Sequence, residues 1–174
     1  MSQTSYSINI PAVSYPGQMA DNMEARDVLS AIAFLAAIVF GTLVVTDEAN
    51  TTDFTNIAGK APALTTDVSV VGTQLGVALA MQALPQNPAV ANPSYPQGYA
   101  VSCLRKGRVW VNAETAMADG SNPFVRFTAN GLLYPGNFRA DADAGKAVQM
   151  AVGQAVMRGT TAAAGFAVLE LDLV

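Results

Sequence analysis

Short apolar segments rich in valine and aromatic residues recur through the second half of the chain, and residues typical of turns separate them. Residues 101–104 and 109–113 are two such segments, joined by Arg105-Lys106-Gly107, and residues 124–128 form a third. This spacing predicts a β-hairpin followed by another strand. We therefore expect the second half of the chain to be a β-domain.

The C-terminal residues continue the pattern. Apolar residues 147–157 and 165–171 lie on either side of a predicted turn at residues 158–161. In the last of these strands we expect inward- and outward-facing side chains to alternate. The residues expected in the core are Phe166, Val168 and Leu169, and those expected in solvent are Glu170 and Asp172.

Two weaker strand signals precede the hairpin. Residues 68–71 and 76–83 are short apolar stretches, and each predicts one strand. Residues 84–97 contain four prolines, which lack an amide donor, so we expect a surface loop without strand pairing there.

The longest apolar stretch is residues 28–45, which contain no charged side chain. As one helix it would be about 27 Å long, close to the roughly 30 Å hydrocarbon core of a bilayer, so a single-span membrane protein is the alternative hypothesis. Acidic residues flank both ends, and no cluster of Lys or Arg marks a cytoplasmic side. Residues 26–37 use good helix formers, whereas residues 38–46 use β-branched residues around Gly41. We therefore favour a short helix followed by a strand.

Residues 1–22 differ in composition from the rest of the chain. They are rich in Ser, Thr, Asn, Gln and Pro, which predicts an extended N-terminal arm preceding a single domain at residues 23–174. A frayed chain terminus is the alternative interpretation of the same composition. Within the arm Tyr6, Ile8 and Ile10 alternate with polar residues, as in a strand. Such a strand is able to pair with a neighbouring protein or within the same domain, and the pattern does not choose between them.

Charge is sparse and mildly acidic. Charged residues make up 13% of the chain against roughly a quarter in typical soluble proteins, and none occurs between Asp67 and Arg105. This stretch is therefore expected to be buried or to face another protein. The net charge is −4 and the nine basic residues are scattered, which argues against a nucleic-acid partner.

The residue types needed for catalysis or metal binding are scarce. The chain has no histidine, and its single cysteine, Cys103, lies in an apolar strand, which predicts a buried thiol. Asp141 and Asp143 alternate as calcium ligands do, but the other ligands of such a loop are missing, so a turn explains them better. An enzyme would have to bring together carboxylates from separate strands, such as Asp53, Asp67 and Glu114. Their spacing in the sequence gives no support for such a site. We predict no catalytic residues, no cofactor and no metal, which leaves binding as the function.

An ordered set of short motifs resembles the cement, or head-decoration, proteins of tailed bacteriophages. The motifs are Pro-Gly-Gln-Met-Ala-Asp at 16–21, Phe-Gly-Thr-Leu-Val-Val at 40–45, Leu-Gly-Val-Ala at 75–78, Gly-Arg-Val-Trp-Val at 107–111, Asn-Pro-Phe-Val-Arg at 122–126 and Thr-Thr-Ala-Ala-Ala-Gly-Phe-Ala-Val-Leu-Glu-Leu at 160–171. They cover most of the chain and are structural rather than catalytic. The chain departs from the family in residues 28–40, which are more apolar than in relatives.

The resemblance implies a mainly β fold, a small β-barrel or jelly-roll-like sandwich, here with one short N-terminal helix and the extended arm. It also implies a structural virion protein, made in the cytoplasm of the host bacterium. Such a protein binds the outer surface of an icosahedral head and bridges subunits of the major capsid protein, so that the expanded shell is stabilised. Its partners would be the major capsid protein and further copies of itself, as a homodimer or homotrimer, with no nucleic acid and no membrane.

Five residues are the candidates for protein contacts. Three lie in the arm, namely Tyr6, Ile8 and Ile10, and two lie on the predicted hairpin, namely Arg108 and Trp110. If Val109 and Val111 face the core, Arg108 and Trp110 share the opposite face of the strand. The alternative is that Trp110 lies in the core and the two valines face outward.

Overall fold

A computed structural model describes residues 16–20, 27–49, 57–80 and 93–173. Within these residues the strands are β1 (Asp27–Ala33), β2 (Ile38–Val39), β3 (Leu43–Thr46), β4 (Ala58–Lys60), β5 (Gln74–Ala78), β6 (Ser94–Tyr95), β7 (Ala100–Ala113), β8 (Phe124–Arg126), β9 (Phe138–Arg139), β10 (Ala147–Gln149), β11 (Ala155–Arg158) and β12 (Gly165–Asp172). One short helix, α1 (Thr65–Ser69), and a 3₁₀ turn at Asp143–Gly145 complete the described secondary structure. The prediction of a mainly β fold is confirmed.

Five strands close into a small barrel in the order β1-β4-β3-β5-β7. β1 and β4 are parallel, and the other neighbouring strands are antiparallel. β1 closes the barrel by pairing with β7, from Ile32 opposite Ala100 to Asp27 opposite Lys106. Closure removes the unpaired edges that an open sheet of the same strands would expose.

β7 has 14 residues and continues beyond the barrel. Its second half pairs with β12, which pairs in turn with β11, while Ala113 at its end pairs with Phe138 of β9. The predicted hairpin is therefore wrong, because Gly107 lies within the strand. Arg105 is skipped in the pairing with β1, which marks a bulge where the strand passes from one set of partners to the next.

The predicted short helix at residues 26–37 is also wrong, because residues 27–33 form strand β1. Helix propensity is a weak signal, and here the backbone of β1 finds hydrogen-bonding partners on both sides, in β4 and β7. The strand prediction for residues 38–46 is confirmed as β2 and β3, separated by a turn in which Gly41 has a φ of 74°. None of the helices in the described parts of the chain has the length and apolar character that a membrane span requires.

Other local predictions were partly right. Residues 76–78 lie in β5 as expected, whereas residues 68–71 are not a strand, since α1 ends there. The proline-rich loop was expected to lack strand pairing, but β6 pairs with β2 and Tyr95 is fully buried. Its ring packs edge-on against Phe40 with centroids 4.9 Å apart, and its hydroxyl donates to the Leu79 carbonyl at 2.6 Å. The part of this loop at residues 84–92 lies outside the described residues.

Two apolar clusters form the core. One is built mostly from barrel strands and contains Ala31, Ala33, Ile38, Phe40, Val44, Leu75, Ala78, Tyr95, Val101 and Cys103. A Cβ at Gly59 of β4 would lie 3.0 Å from Val44 and 3.3 Å from Ala31, so small residues are needed inside this narrow barrel. The larger cluster joins the other face of β3 and β5 to the second half of β7 and to β12. β7 therefore contributes to both clusters.

A buried ion-pair network ties the loops beyond the barrel together. Arg126 is fully buried and binds the Glu114 carboxylate through Nε and Nη2, at 2.7 to 3.0 Å, and Asp143 at 2.6 Å. Arg139 joins Glu114, Asp141 and Asp143 at 3.2, 2.6 and 3.0 Å. Asp141 also accepts the Asp143 amide, and this contact and Arg139 lower its pKa. The preference for a turn over a calcium loop agrees with these contacts.

Candidate interaction surface

Three neighbouring strands, β7, β12 and β11, present a common outer face. Directly opposite residues in antiparallel strands share a face, and the pairs are Arg108 with Glu170 and Trp110 with Val168. Val156 and Arg158 of β11 lie opposite Glu170 and Val168 and continue this face. We call it the outer face; its members are Lys106, Arg108, Trp110, Asn112, Val156, Arg158, Phe166, Val168, Glu170 and Asp172.

The structure decides between the two orientations of β7 that the sequence left open. Val109 and Val111 are fully buried, so Trp110 lies between them on the outer face, where it is half-buried. The alternative in which Trp110 occupies the core and the valines face outward is excluded. Arg108 shares the outer face with Trp110, as predicted.

The side chains of β12 do not face the core as predicted, because Phe166 and Val168 were expected there and lie on the outer face instead. Its inward residues are Ala167, Leu169 and Leu171, all buried, whereas Phe166 is 46% exposed. Phe166 lies opposite Asn112 and so is the diagonal neighbour of Trp110 across the two strands. The outer face therefore has an apolar part that the sequence reasoning missed. The sequence contained a signal for this. Residues at every second position of a strand share a face, so Phe166 and Val168 lie on the same side as Glu170 and Asp172.

The charged part of the outer face is paired within the chain. Glu170 receives Arg108 Nε at 2.7 Å and Arg158 Nε at 3.0 Å. The hydrogen bonds from these two guanidinium groups lower the pKa of Glu170 to about 2, and Arg158 has the larger effect. Lys106 binds Asp172 at 2.6 Å on the same side of the two strands. The face is thus charged but largely neutralised.

Residues 16–20 lie along the free side of β7, next to Trp110. The Gly17 amide donates to the Trp110 carbonyl at 2.7 Å, and the Trp110 amide donates to the Gln18 carbonyl at 2.7 Å. The Ala20 amide donates to the Arg108 carbonyl at 3.0 Å. The described part of the predicted arm is therefore held on the strand that carries Arg108 and Trp110.

Of the five candidate contact residues, Arg108 and Trp110 lie within the described residues. Tyr6, Ile8 and Ile10 lie outside the described residues, so their contacts stay a prediction. The chain that contains them joins the body at Pro16, beside the backbone of Trp110.

The residues considered for chemistry have structural partners. The Asp67 carboxylate accepts the Ala63 and Leu64 amides at the start of α1, and Glu114 is bound by Arg126. Asp53 lies outside the described residues. Cys103 is fully buried, as predicted, and burial raises the pKa of its thiol to about 12. In the described parts of the chain no group of His, Cys, Asp or Glu is arranged to hold a metal ion.

The family model for the phage structural cement protein, described as "Structural cement protein (E217 gp24/Pam3 gp6)", matches residues 2–172. The chain belongs to this family. It is therefore a structural cement protein, and its place is in the virion, on the capsid. The resemblance found in the ordered motifs is confirmed.

Comparison with solved structures agrees with this fold. A chain of the capsid of Myoviridae phage XM1 aligns over 97% of both chains with a TM-score of 0.65 and 13% sequence identity. At that identity the likeness establishes the shared fold. No curated protein matches the sequence.

Proposed function

We propose that this cement protein binds the outer surface of an icosahedral phage head and bridges subunits of the major capsid protein, stabilising the expanded shell. It acts as a homodimer or homotrimer and has no enzymatic activity, cofactor, nucleic-acid partner or membrane partner. Its contacts come from the arm, residues 1–22, and from the outer face, with Tyr6, Ile8, Ile10, Arg108 and Trp110 as the principal residues.

The observation that carries this proposal is the pairing of residues 16–20 with β7. It holds residues 17–20 beside the backbone of Trp110 and Arg108, which supports a joint contact of the arm and the outer face with the capsid. Trp and Arg are frequent anchors of protein interfaces, and Phe166 extends the apolar area next to Trp110. An arm and a sheet face together allow one molecule to contact more than one capsid subunit.

The internal ion pairs of the outer face also support a binding role. Burying an unpaired charge in an interface costs several kcal/mol, whereas Arg108, Arg158 and Glu170 already compensate one another. When one oligomer binds several subunits, each further contact forms at high effective concentration, and weak single contacts give roughly a hundredfold or greater gain in avidity. Passive binding of this kind needs no reactive group.

Co-sedimentation with head shells tests the proposal. Purified protein is mixed with expanded shells from the same phage that lack it, and unexpanded shells serve as the control. We expect saturable binding to expanded shells and a higher temperature of shell disruption. Absence of binding to expanded shells would overturn the proposal.

Matched variants locate the contact. Trp110→Ala and removal of residues 1–15 are each expected to weaken shell binding at least tenfold. Leu132→Ala, which changes a side chain that is 85% exposed outside the outer face, is the control and should bind as the wild type does. Equal binding by all three variants would exclude the outer face and arm as the contact.

A further inference from the structure

Four consecutive apolar residues are exposed at one end of the barrel. Residues 34–37, Phe-Leu-Ala-Ala, all face solvent, with Phe34 39% and Leu35 58% exposed. Tyr99, at the start of β7, is 54% exposed and adjoins them, because the Ala33 amide donates to the Tyr99 carbonyl at 2.9 Å. We call residues 34–37 and Tyr99 the apolar tip. Runs of exposed apolar residues are rarely tolerated on a protein surface unless they bind something.

The apolar tip is held in a defined shape by the barrel. Ala33 before it and Ile38 after it are buried, so both ends of the loop are fixed in the core. The Phe34 amide donates to the Gly59 carbonyl at 3.0 Å, and Gln97 Nε2 donates to the Phe34 carbonyl at 2.8 Å. A preorganised loop loses little conformational entropy on binding, which favours its use as a contact.

The charge at this end of the barrel is paired within the chain. The tip belongs to residues 28–46 and 68–104, and neither stretch contains Asp, Glu, Lys or Arg. Lys60, which follows Gly59 in β4, is a charged residue next to the tip, and its Nζ lies 3.5 Å from the Asp47 carboxylate. Each copy of the chain has a net charge of −4, so copies repel one another weakly wherever charged surfaces approach. At the apolar tip two identical copies are able to meet without placing unpaired like charges opposite each other, because Lys60 is neutralised by Asp47.

We propose that the apolar tips of two copies of this protein contact each other on the capsid, as an isologous pair around a two-fold axis. The inference rests on the proposed function, because the capsid brings the copies together. Two large side chains of the loop, two alanines and Tyr99 present on the order of a few hundred Å², compared with about 800 Å² buried by each partner in a typical stable complex. The contact is therefore weak in solution and forms when bound copies are held at high effective concentration.

The tip and the outer face are available at the same time. Ala100 lies next to the tip and Trp110 lies on the outer face, ten residues further along β7, or about 33 Å in an extended strand. One molecule thus contacts the capsid with one end and a second copy with the other. This arrangement would link neighbouring cement proteins across the shell surface.

A photo-crosslink at the tip tests the inference and identifies what the tip contacts. Leu35→Cys provides an accessible thiol for a benzophenone maleimide, and the native Cys103 is fully buried and does not compete. The labelled protein is bound to expanded shells and irradiated. Leu132→Cys, labelled in the same way, is the control at an exposed apolar position outside the tip.

We expect the Leu35→Cys protein to yield mainly an adduct of two 18.0 kDa chains on shells, with at least fivefold less in solution at the same concentration. The Leu132→Cys protein should not yield this adduct. An adduct with the major capsid protein would overturn the inference and assign the tip to the shell contact. No adduct from shell-bound Leu35→Cys protein would overturn it as well.

Binding isotherms separate this inference from the function on which it rests. Wild-type protein should bind expanded shells cooperatively, with a Hill coefficient above 1, and Leu35→Ser should bind the same number of sites with a coefficient of 1. Non-cooperative binding by both proteins would overturn the tip contact but leave the cement function intact. Failure of the wild-type protein to bind at all would overturn both.

Discussion

Gly17 and Gly41 approach each other so closely that neither position has room for a side chain. A Cβ on Gly17 would lie 3.1 Å from the Gly41 nitrogen, and a Cβ on Gly41 would lie 2.8 Å from the Gly17 nitrogen. Both residues have positive φ angles, 81° and 74°, which glycine adopts without strain. This contact seats residues 16–20 against the body and brings Gln18 to Trp110.

Gly17→Ala is expected to release residues 16–20 from β7. The added methyl group would lie 2.7 Å from the Ala80 nitrogen and 2.8 Å from the Ala78 oxygen, in addition to the strain at positive φ. A local cost of roughly 1–3 kcal/mol should speed amide exchange at Trp110 about tenfold or more, because that amide donates to Gln18. Trp110 is the chain's single tryptophan, so its fluorescence reports the same release. Gly159→Ala, at a φ of 94° with open space around it, is the control, and an equal rise in Trp110 exchange there would contradict the prediction.

Gly76→Ala tests the close approach of β5 and β7. At a φ of 134° its Cβ would collide with the Leu104 carbonyl, whose backbone belongs to a neighbouring barrel strand and cannot move aside. We expect the free energy of unfolding to fall by about 2–3 kcal/mol, as measured by denaturant titration. Gly153→Ala, at a φ of 90° with nothing within 4 Å, has backbone strain without the collision and should cost less. Equal losses would show that the collision adds nothing.

Glu114→Gln should be among the most destabilising single changes. Glu114 is 1% exposed and compensates the fully buried Arg126, so the change leaves a buried cation with Asp143 as its remaining carboxylate partner. We expect a loss of about 3 kcal/mol or more in the free energy of unfolding. Asp172→Asn breaks the exposed pair with Lys106 and should cost less than about 1 kcal/mol. Similar losses for the two variants would refute the special role of the buried network.

The lowered pKa of Glu170 determines how the stability of the folded protein should depend on pH. Its pKa is lowered from 4.5 to about 2 by Arg158 and Arg108, so the folded protein holds the carboxylate charged where the unfolded chain protonates it. The resulting stabilisation is present above about pH 4.5 and is lost as the pH falls towards 2. Glu170→Gln should therefore unfold at a lower temperature at pH 7 and should flatten the decline in melting temperature between pH 4.5 and 2.

Glu48→Gln, on an exposed turn after β3, is the control for this pH series and should follow the wild type throughout. Parallel curves for Glu170→Gln and the wild type would mean that the two guanidinium contacts contribute nothing to folding.

Several features could be predicted from local patterns because alternation along a strand is a local property. Alternation places Val109 and Val111 on one face of a strand and Trp110 on the other, and the structure shows that the valines are the buried side. Cys103 was expected to be buried and is. The turn at Asp141 and Asp143 was also predicted, but its ion pairs were not. Arg139 is close in the chain, but Arg126 is 17 positions from Asp143, and both arginines are bound by Glu114, which only the fold brings to them.

Local patterns failed where pairing between distant segments decided the conformation. Residues 26–37 were predicted to form a helix from their Ala and Leu content, but residues 27–33 form β1, since β4 and β7 offer hydrogen bonds on both sides. Arg105-Lys106-Gly107 resembles a hairpin turn but continues β7, because β1 pairs before it and β12 pairs after it. The apolar tip was unforeseen for a related reason: apolarity alone does not reveal which residues of a stretch lie outside the core.

The sequence by itself determined the family, the β-rich class, the absence of histidine and the fact that Val109 and Val111 share one face of a strand while Arg108 and Trp110 share the other. These properties depend on residue identity and on alternation over a few positions. Tertiary structure alone decided that the barrel closes through β1 and β7, that residues 16–20 reach Trp110, and that Phe34 and Leu35 are exposed while Ala33 and Ile38 are buried. The reason is physical, because backbone pairing and burial depend on which distant segments are brought together, and no local pattern contains that information.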